Sequence, residues 1–380
     1  MLLFEIKKLL KKTSSYAGLV VAVLILAGLL YGIFLNGQLS GYSTDKIRGR
    51  DSIALNTEIA NKYAGSLSDD KIESIITQSV ENNAKNTKSG FFDIFSWYVS
   101  KEFILNNSSY DRELENYKKN GSFDIKNVKL KKVDDLGLTV PLDSIKLGNF
   151  ASWNQLFQLL SATFMLIGIL LIYILSPVFS GDKMNGILPL LLTTKFGRTK
   201  LTYSKVGATF LIFLSSFILI HGLIFAFFAY YFGLSGWDTS IQMNFYWNLY
   251  SLPLSLNFIQ LYLVVLVYHF IALLLVSSTT SFISYFTKST FTTLSLSLGV
   301  FFLPQLLLQI FKGGIVNKLL TFCPISNINT ESMLLKLSDS ETFLFSNFYL
   351  NFFLILSLMI FLTILFNAII IKKQKIRINL

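Results

Sequence analysis

Residues 156–179 read LFQLLSATFMLIGILLIYILSPVF, a run without a charged side chain. At about 1.5 Å of rise per residue, such a run exceeds the roughly 30 Å of a bilayer's hydrocarbon core and predicts a membrane-spanning helix. The runs Tyr16–Leu35, Val206–Leu234, Phe258–Phe286, Phe291–Phe311 and Phe348–Ile371 share this character. Composition agrees, with 52% of the 380 residues hydrophobic and only 14% charged, a balance foreign to soluble domains. The first run follows a basic stretch, as a signal peptide would. It is too long for a signal h-region and lacks a small-x-small cleavage site, so a retained helix is expected. The expected fold class is an α-helical polytopic membrane protein with six transmembrane helices and an α+β extracellular domain inserted between helices 1 and 2.

Charge sets the expected orientation, because lysine and arginine near helix ends favour the cytoplasmic side. One set of flanks carries Lys7, Lys8, Lys11, Lys12, Lys183, Lys195, Arg198, Lys200, Lys205, Lys288, Lys372, Lys373, Lys375 and Arg377 against only Glu5 and Asp182. The opposite flanks carry Lys312, Lys318 and Lys336 against Asp238, Glu331, Asp339 and Glu341. Both termini are therefore expected in the cytoplasm of a bacterial cell membrane, with residues 37–152 outside. The bases and acids of that insert balance, so the net charge of +11 belongs to the membrane part. It reflects topology and lipid headgroups, not nucleic acid. The expected organisation is an amphipathic interfacial helix over 1–15, transmembrane helix 1 over 16–36, the extracellular domain over 37–152, and helices 2–6 over 153–380.

Within the insert, Ser68 reads as an N-cap before DDKIESIITQSV, with two acids in the first turn. The later stretch FDIKNVKLKKVDDLGLTVPLDSI contains alternating stretches and predicts a few short strands or extended segments. FFDIFSWYV, from Phe91 to Val99, is too short to span and too apolar for a solvated loop; it forms either the domain's core or a surface against lipid or substrate. Trp237, Tyr246, Trp247 and Tyr250 read as an interfacial aromatic belt.

The residue inventory argues against an enzyme. Both histidines, His221 and His269, fall inside predicted spans, and Cys323 is the sole cysteine. The insert can build neither a Ser-His-Asp triad nor a His-ligated metal site. No G-x-x-x-x-G-K-[ST] loop occurs, so energy from ATP has to come through a partner. All six runs lack Asp, Glu, Lys and Arg, which weakens an ion-coupled transporter. His221 and His269 are expected either to pack by interhelical hydrogen bonds or to relay protons or contact substrate on a polar path. Ser277–Ser281 with Gln305 and Gln309 are candidates for a polar path or for interhelical bonding, and the Gly28-x-x-x-Gly32 spacing for a subunit interface.

The segment after the quoted run, GDKMNGILPLLLTTKFGRTK, is half apolar although it joins two spans. Met184, Ile187, Leu188 and Leu191 recur at i, i+3, i+4, i+7, the pattern of a helix that docks in a groove or lies on the inner leaflet. At the N-terminus, MLLFEIKKLLKK sets Leu2, Leu3, Ile6, Leu9 and Leu10 against lysines and predicts a helix lying flat at the leaflet.

Phe179, Asp182, Gly186, Leu191-Leu192-Thr193-Thr194, Arg198 and Lys205 resemble the pattern in the loop between the second and third helices of type-2 ABC exporter permeases, in the subgroup with a large extracellular insert. KYAGSLSDDKI also looks like a stretch of such permeases from low-GC Gram-positive bacteria. Asp182 stands where the family carries Glu, and Pro189 interrupts the loop helix. The resemblance implies a permease, identical to or paired with a second one, seated on a dimer of cytoplasmic ABC ATPase subunits. The partner ATPase would bind ATP and Mg, and this chain no cofactor. It further implies that loop 180–202 couples to the ATPase through Phe179, Asp182, Gly186, Leu188, Leu191, Arg198 and Lys205. The expected function is outward movement of an amphipathic peptide, antibiotic or lipid-like substrate. The alternative is a sensor or immunity module whose extracellular domain binds a peptide or lipid-linked ligand.

Overall fold

The computed structural model describes residues 1–36, 39–42, 45–84, 91–121, 123–194, 197 and 200–379. Among them, six helices are long and apolar enough to cross a membrane: Thr13–Leu35, Phe150–Met184, Leu201–Phe232, Phe258–Phe286, Thr290–Ile310 and Phe348–Gln374. Each begins or ends within a few residues of the uncharged run that predicted it. The second span is buried over 67% of its apolar window, against 17% for the first and 22% for the third, fifth and sixth. The second span is thus surrounded by protein, whereas the first presents Val20, Val21, Val23, Leu24 and Ile25 on its surface. Such a stripe suits lipid or a neighbouring apolar helix, not water.

The chain divides into two compact units. The first contains Met1–Gly28, Leu160–Ile224 and Val265–Leu380. Its helices are α1 (Leu2–Leu10) and α2 (Thr13–Leu30), then α7 (Phe150–Leu175), which enters this unit at Leu160, and α8 (Pro177–Met184) and α9 (Leu188–Thr193). There follow α10 (Leu201–Phe232), α11 (Phe258–Phe286), α12 (Thr290–Ile310), α13 (Gly314–Thr321), α14 (Thr330–Ser338) and α15 (Phe348–Asn379). Phe164, Ile167, Leu171, Phe213, Leu273 and Met359 fill the interior. Gly168 lets the Phe301 ring approach so closely that a Cβ at 168 would lie 2.7 Å from it, well inside van der Waals contact, so α7 and α12 meet there only because 168 is glycine.

The second unit contains Leu29–Leu159 and Phe225–Val264. Helices α3 (Arg50–Lys62), α4 (Asp69–Ala84), α5 (Ile94–Phe103) and α6 (Asn107–Asn120) dominate it. Ser68 caps α4 as expected, its Oγ accepting from Lys71 N. A small antiparallel sheet pairs β1 (Leu39–Tyr42) with β2 (Asp45–Arg48) and with β4 (Phe91–Phe92), while β3 (Gly65–Ser66) pairs with β5 (Lys146–Leu147). The core combines Ile53, Ile75, Ile76, Phe95, Val99 and Phe103 with Phe150 and Trp153. Trp153 Nε1 donates to Ser235 O at 2.8 Å, satisfying the one polar atom that this large ring brings inside.

Three expectations are corrected here. The stretch 123–145 is extended only in part: Leu130 forms an isolated antiparallel bridge with Ile104, while short 3₁₀ turns at Ile125–Asn127, Val133–Leu136 and Leu142–Ser144 stand in place of strands. Its own side chains turn it: Asp124 accepts from Lys126 N and Asp135 from Lys132 N, local bonds that compete with a ladder. The aromatic belt is not a belt, because Trp247 and Tyr250 are buried and Tyr246 is half-buried, its ring centroid 4.0 Å from that of Tyr98. Burial raises the Tyr246 hydroxyl pKa above its ordinary value, and of the four aromatics only Trp237 is exposed. Finally, FFDIFSWYV is not one surface but two. Phe95 and Val99 point into the core, whereas Phe92 and Trp97 are exposed at 39% and 44%.

That division predicts unequal substitutions. Phe95→Ala removes a buried ring and costs about 3–5 kcal/mol, whereas Trp97→Ala stays within about 1 kcal/mol, as surface changes do. Thermal unfolding of the purified chain reads both; equal losses would show that the faces are misassigned.

Candidate functional site

The α7 helix does not end at its last apolar turn. Ser176 and Pro177 break it, and the chain continues as α8. A proline has no N–H to donate and crowds the preceding turn, so the break exposes backbone groups that need partners. Ser284 of α11 supplies them. Its Oγ accepts from Phe179 N and Ser180 N, both at 3.0 Å, and donates to Ser176 O at 2.7 Å.

On α8, Phe179 and Asp182 face inward, and Lys205 reaches them from the first turns of α10. Lys205 is 1% exposed. Its Nζ donates to Glu5 Oε2 at 3.0 Å and to Val178 O at 2.6 Å, and pairs with Asp182 Oδ2 at 2.7 Å outside hydrogen-bond geometry. The same ammonium lies 5.5 Å from the centroid of the Phe179 ring. Lys8 completes the cluster, bonding Asp182 Oδ1 and lying 3.7 Å from Glu5 Oε2. Two carboxylates and two ammonium groups thus lock α1, α8 and α10 together. Lys12 stands close by, its pKa lowered mainly by burial, then by the neighbouring Lys8.

A fourth element is tied in by Lys183. It bonds the Tyr285 carbonyl and donates to Thr287 O at 3.1 Å, at the C-terminus of α11, where a cation meets the orphan carbonyls and the negative end of the helix dipole. The void among Phe179, Asp182, Leu188, Lys205, Tyr285 and Gln374 measures only about 10 Å³, at most room for a single water. The cluster is a tightly packed junction of helices with no room for a small molecule.

Gly186 terminates α8. Its φ of +65° suits glycine, and Gly186 N→Lys183 O with Ile187 N→Asp182 O closes a Schellman cap. The loop is therefore two short helices, not the single helix that the i, i+3, i+4, i+7 spacing predicts. Pro189 sits in the first turn of α9, where a missing N–H costs nothing. The exposed apolar face also shifts. Met184, Ile187 and Leu190 are exposed at 54%, 38% and 68%, while Leu188 and Leu191 are half-buried. Arg198 lies outside the described residues.

The remaining candidates separate. His221 and His269 meet at 3.3 Å between α10 and α11. His221 Nδ1 faces Phe217 O at 3.2 Å and must carry the hydrogen, so His221 Nε2 accepts from His269 Nδ1. His269 Nε2 then ends the chain as a buried acceptor without a partner among the described residues. Ser277 and Thr280 donate to carbonyls within α11, and Ser281 bonds Thr209. Gln305 and Gln309 lie apart from them on the exposed face of α12. Gly28 and Gly32 are exposed too, and a Cβ at either meets nothing within 4 Å. Among the described residues no three His, Cys, Asp or Glu gather to hold a metal.

Glu5, Lys8, Lys183 and Ser284 were not singled out from the sequence. Only Glu5 left a signal, a lone acid on the apolar side of a basic helix. No protein-family model, curated protein or solved structure matches the chain.

A double-mutant comparison tests the lock. Lys205→Met leaves Glu5 and Asp182 buried with only Lys8 between them and costs about 3–5 kcal/mol, the usual result of breaking a buried pair from one side. Adding Glu5→Gln restores part of that loss, because one orphaned charge disappears. Strictly additive losses in thermal unfolding would mean that the two groups do not interact.

Proposed function

We propose that this chain is the membrane permease subunit of an ATP-driven exporter of the type-2 ABC family, moving an amphipathic substrate outward. One observation carries the reading: the four-charge cluster binds α8 to α1 and α10, and beyond it the α8–α9 turn leaves Met184, Ile187 and Leu190 exposed. A separate ATPase dimer in the cytoplasm docks on that apolar face and hydrolyses ATP. A helix in a groove is the physical form of such docking. Because α8 is fastened to three other helices and continues α7, a push on the turn moves the ends of several spans together. A second permease, identical or related, completes the assembly. The insert then lies outside the cell and both termini inside, as the flanking charges favour.

In this assembly, Leu190→Asp places a charge in the ATPase groove, where its desolvation is costly, but leaves the permease fold intact because Leu190 is 68% exposed. The expected result is an ATPase chain lost from the purified complex with an unchanged melting temperature of the permease. An ATPase that stays bound and equally active in Leu190→Asp and Met184→Asp would refute the docking face.

A further inference from the structure

A cavity of about 410 Å³ opens among α4, α5, α6 and β4, within the range of small-molecule sites. Asp93 and Ser100 form its buried floor, Phe92 and Trp97 stand at its wall, and Lys101 and Asp111 occupy its mouth. Asp93 is 3% exposed and caps α5, one carboxylate oxygen accepting from Ser96 N at 2.6 Å. Neither Asp93 nor Asp111 forms an ion pair among the described residues. Ser100 is 8% exposed, and its Oγ has no hydrogen-bond partner there. A buried hydroxyl and a buried carboxylate without a counter-charge are both costly to leave unmatched. The aromatic wall adds a preference. Lys101 Nζ lies 5.3 Å from the centroid of Trp97 and 5.9 Å from that of Tyr98, so the wall already attracts an ammonium through its π faces.

We propose that this cavity binds a primary ammonium carried on a small apolar body. The ammonium hydrogens reach Asp93 and the Ser100 hydroxyl, while the apolar body lies against Phe92 and Trp97. Asp111 at the mouth favours entry of a cation, and Lys101 is the resident cation that the ligand displaces from the Trp97 face. Among the charged lining groups, a carboxylate ligand would gain only Lys101 and would face two acids, Asp93 and Asp111. Burial also holds the Asp93 carboxyl pKa above its ordinary value. That cost falls when a cation arrives.

The probe is phenethylammonium, titrated calorimetrically into the purified full-length chain in nanodiscs, with 2-phenylethanol and 3-phenylpropanoate as neutral and anionic analogues. The expected result is saturable binding of the ammonium, with both analogues at least about tenfold weaker. Asp93→Asn preserves the cap, since asparagine caps as well as aspartate, yet weakens binding by about tenfold or more. Trp97→Ala weakens it similarly, Trp97→Phe retains it, and Lys101→Gln strengthens it. Equal or tighter binding of the anion, no saturable binding of the ammonium, or unchanged binding in both Asp93→Asn and Trp97→Ala would overturn the proposal. Should Asp93→Asn unfold, the exposed Trp97→Ala decides. The titration needs no ATPase, so its outcome is independent of the docking experiment.

Discussion

Lys205 is the constraint around which the membrane part is organised. An ammonium that is 1% exposed survives only with its charge answered on several sides. Glu5, Asp182, the Val178 carbonyl and the Phe179 ring answer it from two different helices. None of these partners can leave without stranding another charge. The cluster therefore specifies a single register of α1 and α8 on α10, which an apolar contact of equal area would leave free to slide. Ser284 and Lys183 extend the same logic to α11, by satisfying the backbone opened at Pro177 and at the end of α11.

The joint is tightly filled. Its void is water-sized, its polar atoms are largely paired, and the exposed apolar residues Met184, Ile187 and Leu190 flank Gly186. The histidine pair is different in kind. It forms a directed chain from the Phe217 carbonyl to His269 Nε2, whose final acceptor has no partner among the described residues. No residue of the joint touches it in the hydrogen-bond network described here, so two separate polar arrangements stabilise the packing of α10 on α11: the Thr209–Ser281 bond and the histidine pair.

The spans were legible because a bilayer demands long uncharged runs, and nothing else in a sequence imitates them. Phe179, Asp182 and Lys205 were legible only through their resemblance to a family pattern; the structure brings the three together around one ammonium. Glu5 was not, since the 200 positions separating it from Lys205 carry no local period. The exposed apolar face differs from the one that a continuous helix would present, because Gly186 resets the helical phase between Met184 and Leu188. Tyr246, Trp247 and Tyr250 misled for another reason: aromatic residues beside a span suit an interface belt and a domain core equally well. The 123–145 stretch keeps only one bridged extended residue, Leu130, because Asp124 and Asp135 bond their own backbone, a local choice that alternation does not reveal.

The central claim is that the buried charges hold α1 and α8 as one unit. Hydrogen–deuterium exchange on the purified full-length chain tests it most directly, comparing the native sequence with Lys205→Met. The account predicts that amides of Leu2–Leu10 and of Pro177–Met184 exchange faster together in the variant, while those of Asp69–Ala84 do not change. Unaltered protection across Leu2–Leu10 would contradict it.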